Sequence, residues 1–198
     1  MDTSLHSQRS YTGASAGISP DAVVRAAAKG ERTAQKALYE QYAPLLFGII
    51  RRYVSDQHHA EDILSEAFYR IITKLHQYSF EGSFEGWMRR IAVHTVTDYF
   101  RKHQKHLEAQ RAEPEDYDTT VEMDAAAGLS YKELLAYVHA LPDTQRTVFN
   151  LFVFEQYAHK EIGTLLGITE ANSRWHLNDA RRRLKETISR NQPGNGRK

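Results

Sequence analysis

Residues 157–186 read YAHKEIGTLLGITEANSRWHLNDARRRLKE. The stretch divides into a helix over His159–Leu166, a turn at Gly167-Ile168-Thr169, and a longer helix from Glu170 to about Thr187. Gly167 can take the left-handed backbone that a tight turn needs. Gly163 is small enough to let the second helix cross closely. Ile162, Leu166 and Ile168 supply a core, and Ser173, Leu177, Ala180 and Leu184 fall on one face of the long helix. The opposite face carries Ala171, Arg174, Trp175, Asn178 and Arg182, with Asn172 and Arg181 beside it. Such a face fits a major groove, its first residues reading bases and its later arginines meeting phosphates. An αα-hairpin with a solvated cationic end is the bland alternative. The small-residue spacing and the arginine cluster together favour DNA binding.

Upstream, the pattern stays helical. Ser19-Pro20-Asp21 reads as a helix start: serine cap, proline in the first helical position, early acid. Gly30 ends that short helix. Arg32–Tyr53 repeats apolar residues at helical spacing, with Pro44 inside, where a kink or restart is expected. From His58 to Gln77, the positions Ala60, Ile63, Leu64, Ala67, Phe68, Ile71, Ile72 and Leu75 form one apolar stripe. The loop Tyr78–Ser83 follows, then a helix from Phe84 to about Lys105. Its buried side is Phe84, Trp87, Met88, Ile91, Ala92, Thr95 and Tyr99. Its polar stripe is Arg90, His94, Thr97, Arg101 and Lys105, with Trp87 at the border. A basic stripe beside aromatics suits melted DNA, since cations hold phosphates while rings stack on bases. On residue types alone, a solvated helix face is the stronger reading of that stripe.

Between Leu107 and Gly128 periodicity fades and acids dominate, with Pro114 in the middle. This reads as a flexible acidic linker between two domains. Ser130-Tyr131-Lys132-Glu133 then opens the second domain as a capping box. Leu134, Leu135 and Val138 line its first helix, Leu141-Pro142 breaks it, and Val148, Phe149, Leu151 and Phe152 line the next. No stretch alternates like a strand leading into a hairpin turn. The fold class is all-α: two small helical domains, at 19–106 and 129–190, with disordered tails at 1–18 and 191–198.

Composition bounds the chemistry. The 198 residues contain no cysteine, which excludes disulfides and thiolate zinc sites and fits a cytoplasmic setting. The first residues lack the apolar core of a signal peptide, so export is not expected, and no apolar run approaches a membrane span. The net charge of +1 hides segregation: acids crowd the linker, while arginines and lysines crowd the C-terminal end. His58, His59, Glu61 and Asp62 resemble metal ligands only in one dimension. Adjacent helical residues point apart and cannot converge on one ion. No phosphate loop, serine elbow or HExxH motif occurs, so no enzyme, metal or cofactor is expected.

Three segments together resemble the extracytoplasmic-function sigma factors of the sigma-70 family. LYEQYAPLLFGIIRRYVSDQHHAEDILSEAFYRIITKL (38–75) resembles that family's polymerase-binding region. EGSFEGWMRRIAVHTVTDYFRK (81–102) resembles its promoter-melting and −10-reading region, and residues 141–184 resemble its −35-reading helix-turn-helix domain. The resemblance spans about residues 21–188 in the family's order. It implies a transcription initiation factor that binds core RNA polymerase, through the β′ clamp coiled coil and the β flap, and promoter DNA. It also implies an anti-sigma factor, in the family often a membrane-bound one, as a further partner. Asp62, Ser65, Glu66 and Phe68 would then dock on polymerase. Phe80, Ser83, Phe84, Trp87, Arg90, His94 and Arg101 would handle the −10 element, and Ala171, Asn172, Arg174, Trp175, Asn178, Arg181 and Arg182 the −35 element.

Four positions depart from the family pattern. Ser65 stands where glutamine is frequent, His94 where asparagine is, and Gly163 where alanine is, at a helix cost of about 1 kcal/mol. Asp179 stands where arginine is frequent, which would place a like charge near DNA. Two other functions compete on the residues: a helix-turn-helix regulator acting without polymerase, and a helical interaction protein without DNA contact. The first half lacks the βα alternation of a receiver domain, and the arginine face argues against the second.

Overall fold

A computed structural model describes residues 20–104 and 130–191, all in helices, turns and short connections. The tail at 1–18, the linker at 107–128 and residues 192–198 lie outside the described residues. The first group of helices is α1 (Pro20–Ala28), α2 (Arg32–Tyr53), α3 (Gln57–Lys74) and α4 (Phe84–Gln104), with a 3-10 turn at Leu75–Gln77. The second is α5 (Tyr131–His139), α6 (Asp143–Val153), α7 (His159–Leu166) and α8 (Glu170–Asn191). Helix α8 runs past Thr187, the end expected from sequence, because Ile188 is still buried.

Local chemistry sets the boundaries. The Asp56 carboxylate accepts from the His59 N–H at 2.9 Å and starts α3. Ser130 and Glu133 form the expected reciprocal box at the start of α5. Gly30 and Gly167 both have positive φ, and Gly167 closes α7 in the left-handed region. Pro44 does not restart α2, which is one continuous helix. Pro44 sits on the exposed side, where water can take the carbonyl left without a donor, while Leu38, Leu46, Ile49 and Ile50 bury the other side.

In the first group α2 packs against α1, α3 and α4, and α3 packs on α4. The core contains Ala60, Ile63, Leu64, Ala67, Phe68 and Ile71 of α3 and Leu75 just after it, with Ile72 of the predicted stripe only partly buried, together with Met88, Ala92, Val93, Val96 and Phe100 of α4. Each such side chain contributes about 1.5–3 kcal/mol when fully buried. An ion pair from Arg70 to Asp98, at 2.7 Å, ties α3 to α4. In the second group α8 lies against α5, α6 and α7. The two groups also touch each other, α2 on α5 and α6, and α4 on α7. The sequence carries no sign of that arrangement. Among the described residues no helix is long and apolar enough to cross a membrane.

Candidate nucleic-acid interface

The turn between α7 and α8 is tight because a glycine precedes it. The Ile168 N–H returns to the Gly163 carbonyl at 3.0 Å. A Cβ on Gly163 would stand 2.8 Å from the Ile168 carbonyl oxygen, a backbone atom with little room to give. Gly163 is therefore a packing requirement here and more than a lapse in helix propensity. The Thr169 hydroxyl accepts from the Asn172 N–H at 3.1 Å and starts α8. Behind the turn, Ser173 Oγ lies 2.9 Å from His159 Nδ1, and the His159 ring stacks on Phe152 at 4.6 Å. Burial, and then Arg174, holds the His159 imidazole below its usual pKa.

On the outer face of α8, Ala171, Arg174 and Arg182 are exposed, and Asn172, Trp175, Asn178 and Arg181 are half-buried. All seven candidates thus reach solvent, with Asn172 and Arg181 on opposite flanks of the helix. The guanidiniums have company. Arg174 pairs with Glu170. Arg182 pairs with Asp179 at 2.5 Å and Glu186 at 2.8 Å, and Arg181 lies 5.7 Å over the Phe152 ring.

Asp179 corrects the sequence reading. It does not face the DNA side as a like charge. It is 9% exposed and turned toward α6, where it accepts from Gln145 at 3.1 Å, and within α8 it accepts from Arg183 at 2.7 Å. Burial works to raise its carboxyl pKa. The hydrogen bonds from Arg183, Arg182 and Gln145 outweigh burial, so the pKa lies below its usual value.

The second candidate surface surrounds the loop before α4. Tyr78 donates to the Gly82 carbonyl at 3.0 Å, and Ser83 Oγ accepts from the Gly86 N–H at 3.2 Å. Phe80, a non-glycine residue, has φ +61°. Its ring lies 5.0 Å from Tyr78 and carries the Arg25 guanidinium at 3.8 Å. Phe84 stacks on Trp87 at 5.8 Å. The loop and the first turn of α4 therefore bring Phe80, Phe84 and Trp87 into one half-buried aromatic cluster, with Ser83 exposed beside it. Arg90, His94 and Arg101 are exposed along α4, and Arg101 pairs with Asp98 at 2.9 Å. Thr97 does not belong to that stripe. It is 2% exposed and donates to the His94 carbonyl. Burial lowers the His94 pKa, and the Tyr157 hydroxyl approaches its Nε2 at 3.5 Å.

On α3, Asp62, Ser65 and Glu66 are exposed, while Phe68 is 5% exposed and lies in the core. Phe68 therefore cannot offer its ring to a partner as the sequence reading expected. It meets Tyr39 at 4.7 Å instead. Two tyrosines that the sequence reading left aside stand on the surface: Tyr69, 67% exposed, and Tyr39, 45% exposed. Tyr69 directly follows the Phe68 position, where a stripe analysis looks only inward.

Known proteins give this geometry a context. The family model for Sigma-70 region 2 matches residues 38–106, and that for Sigma-70, region 4 matches residues 131–184. The ECF RNA polymerase sigma factor SigM of Bacillus subtilis is 29% identical over 154 residues, covering 77% of this chain and 94% of SigM. SigW of the same organism is 26% identical over 171 residues, covering 81% of this chain and 91% of its own. Among solved structures, the sigma factor RpoE of Bartonella quintana, in complex with the anti-sigma factor NepR, aligns with a TM-score of 0.49 at 15% identity. That alignment covers 79% of this chain and 98% of RpoE. The two matched regions take up the two groups of helices in chain order. The chain belongs to the sigma-70 family of transcription initiation factors, in its extracytoplasmic-function branch.

Proposed function

We propose that this chain binds core RNA polymerase through the exposed side of α3 and directs it to promoters through α4 and α8. The observation that carries the reading is the ordered pair of matched regions, with Arg90 and Arg101 exposed in the first and Arg174 and Arg182 in the second. Residues 19–106 act as the polymerase and −10 domain, and residues 129–190 as the −35 domain. Asp62, Ser65 and Glu66 dock on the β′ clamp coiled coil, and the second domain meets the β flap. Tyr69 and Tyr39 extend the α3 surface with rings. Phe80, Ser83, Phe84 and Trp87 take an unstacked base of the −10 element, and Arg90, His94 and Arg101 follow the displaced strand. Ala171, Asn172, Arg174, Trp175 and Asn178 face bases of the −35 element, while Arg181 and Arg182 face phosphates. The chain works in the cytoplasm, where the polymerase is, and an anti-sigma factor is its natural antagonist. The polymerase does the chemistry. An autonomous regulator has no use for a polymerase-directed first domain, and nothing in the structure favours one.

The test is charge reversal of Asp62 and Glu66 in the full chain. Both are exposed on α3, so the expected result is loss of co-purification with core polymerase and an unchanged helical circular-dichroism signal. Retained co-purification would overturn the α3 assignment.

A further inference from the structure

Helix α1 precedes the stretch matched to region 2, which begins at residue 38, so no role comes to it from the family. The structure ties it to the loop before α4. Val24 and Ala27 are buried, and Gln35 of α2 donates to the Ala27 carbonyl at 3.2 Å. Helix α1 also packs on the 3-10 turn at Leu75–Gln77, from which the loop departs. On this anchored helix Arg25 is exposed, and its guanidinium carbon lies 3.8 Å from the centre of the Phe80 ring.

A basic residue in the last turn of a helix has a simple explanation, since it complements the helix dipole. That explanation puts the cation at the α1 carbonyls and does not put it over a ring on a distant loop. Phe80 itself needs support. It has φ +61° without being glycine, and such a backbone persists only where its surroundings fix it. Those surroundings include the Tyr78 ring at 5.0 Å and the Arg25 guanidinium.

The loop Tyr78–Ser83 also carries Glu81 and no cation of its own. Arg90, His94 and Arg101, the cations assigned to the −10 element, all belong to α4. Rings that take a nucleotide work beside a cation that holds the backbone. Arg25 stands where the loop lacks one, and it is free for the task. Arg70, Arg89 and Arg101 of the same group of helices each hold a carboxylate. Among the described residues no carboxylate pairs with Arg25. A guanidinium stacked on a ring keeps its N–H donors in its own plane, open to another acceptor.

We propose that Arg25 is a −10-element residue: stacked on Phe80, it holds the loop in the shape that takes an unstacked base, and its outer edge binds the phosphate of that nucleotide. The proposal rests on the −10 assignment of the loop made above. It extends the promoter surface from the loop and α4 to α1.

The test uses the full chain assembled with core RNA polymerase and a short fluorescent single-stranded deoxyoligonucleotide of random sequence, with binding to core alone subtracted. Two quantities are read: the slope of log affinity against log salt, and the base preference of the bound fraction by sequencing. Arg25→Ala is expected to lower the slope by about 0.7, the share of one phosphate on a single strand, which is a loss of roughly fivefold in affinity at 0.1 M salt relative to 1 M. It is also expected to flatten the base preference. Arg25→Lys keeps a charge that reaches phosphate but not the planar stack, so the slope is retained and the preference still flattens. Lys29→Ala removes an equal charge just past α1 and is expected to match the parent chain. Glu81→Lys probes the loop itself, where an added cation is expected to tighten binding. Arg25, Lys29 and Glu81 are all exposed, and circular dichroism confirms that the variants fold. If Arg25→Ala behaves like Lys29→Ala while Glu81→Lys tightens binding, the role of Arg25 is overturned and the loop assignment stands. If Arg25→Ala and Glu81→Lys both leave binding unchanged, the proposal falls together with the loop assignment. An Arg25→Lys chain that matches the parent in both quantities overturns the positioning of Phe80.

Discussion

Helices α4 and α8 each carry a cationic face, and they keep their cations in different company. On α8, Arg174 pairs with Glu170, and Arg182 with Asp179 and Glu186, all within one helix. On α4, Arg89 pairs with Glu155, 66 residues away in sequence and buried, which Arg52 of α2 also meets. The exposed pairs among them, Arg174 with Glu170 and Arg182 with Glu186, hold by about 0.3–0.5 kcal/mol, which a phosphate easily displaces, whereas Asp179 itself is buried. A buried carboxylate between two guanidiniums resists removal of either partner by several kcal/mol. Arg174 and Arg182 on α8 and Arg90, His94 and Arg101 on α4 are all exposed, while Arg89 of α4 is tied into the contact between the two groups of helices.

The sharpest way to break this contrast is to remove a cation from each side. Arg146, 6% exposed, donates to the carbonyls of Tyr53, His139 and Leu141 and pairs with Asp143. Arg146→Ala leaves those carbonyls buried and unpaired, with an expected loss of about 3 kcal/mol in urea denaturation. Arg182→Ala, on an exposed face, is expected to change stability by less than about 0.5 kcal/mol. Equal losses would erase the distinction between buried clasp and surface pair.

A smaller effect concerns the turn that presents α8. Helix propensity alone makes Gly163→Ala a gain of about 1 kcal/mol. The 2.8 Å approach of a Cβ to the Ile168 carbonyl reverses the sign. The expected outcome is a loss of about 1–2 kcal/mol, seen as a lower urea midpoint. A raised midpoint would show that the turn relaxes freely.

The smallest effect is one of pH. His94, on α4 beside Tyr157, and His139, against the end of α2, both have pKa values lowered mainly by burial. Asp98, Lys74, Arg90 and Arg70 surround the first, and Arg146 and Arg51 the second. A histidine whose pKa is lower in the folded chain binds fewer protons there than in the unfolded one. Stability is therefore unaffected above the ordinary histidine pKa of about 6.5 and weakens as pH falls below it. The urea midpoint is expected to fall on acidification through that range. A rise would reverse the assignment.

Much of the fold is written in local chemistry. The caps at Asp56 and Ser130, the turn at Gly167 and the stripe from Ala60 to Leu75 all follow from spacing and residue type, and so does the exposed set on α8. What escaped the sequence has a common cause. Periodicity shows that a helix has an inside, but not how many neighbours it has. Thr97 looks like a surface position on a polar stripe, yet α4 is buried on several sides. Asp179 looks like a charge on the DNA side, until α6 turns out to cover it. Glu155, Arg52, Arg89 and Arg146 look like solvated charges, because the contacts that bury them join residues 66 to 103 positions apart. The family resemblance supplied the roles, and physical packing decided which residues are free to play them.

The central claim is that this chain reads promoters as part of the polymerase and not alone. Its net charge of +1 leaves the free chain a poor ligand for duplex DNA, whose affinity for proteins comes mostly from neutralised phosphates. A salt titration of promoter binding, with and without core polymerase, tests this directly. The account predicts weak, steeply salt-sensitive binding by the free chain and tight, promoter-specific binding once core polymerase is added. Tight and sequence-specific binding by the free chain at physiological salt, unchanged by polymerase, would contradict it.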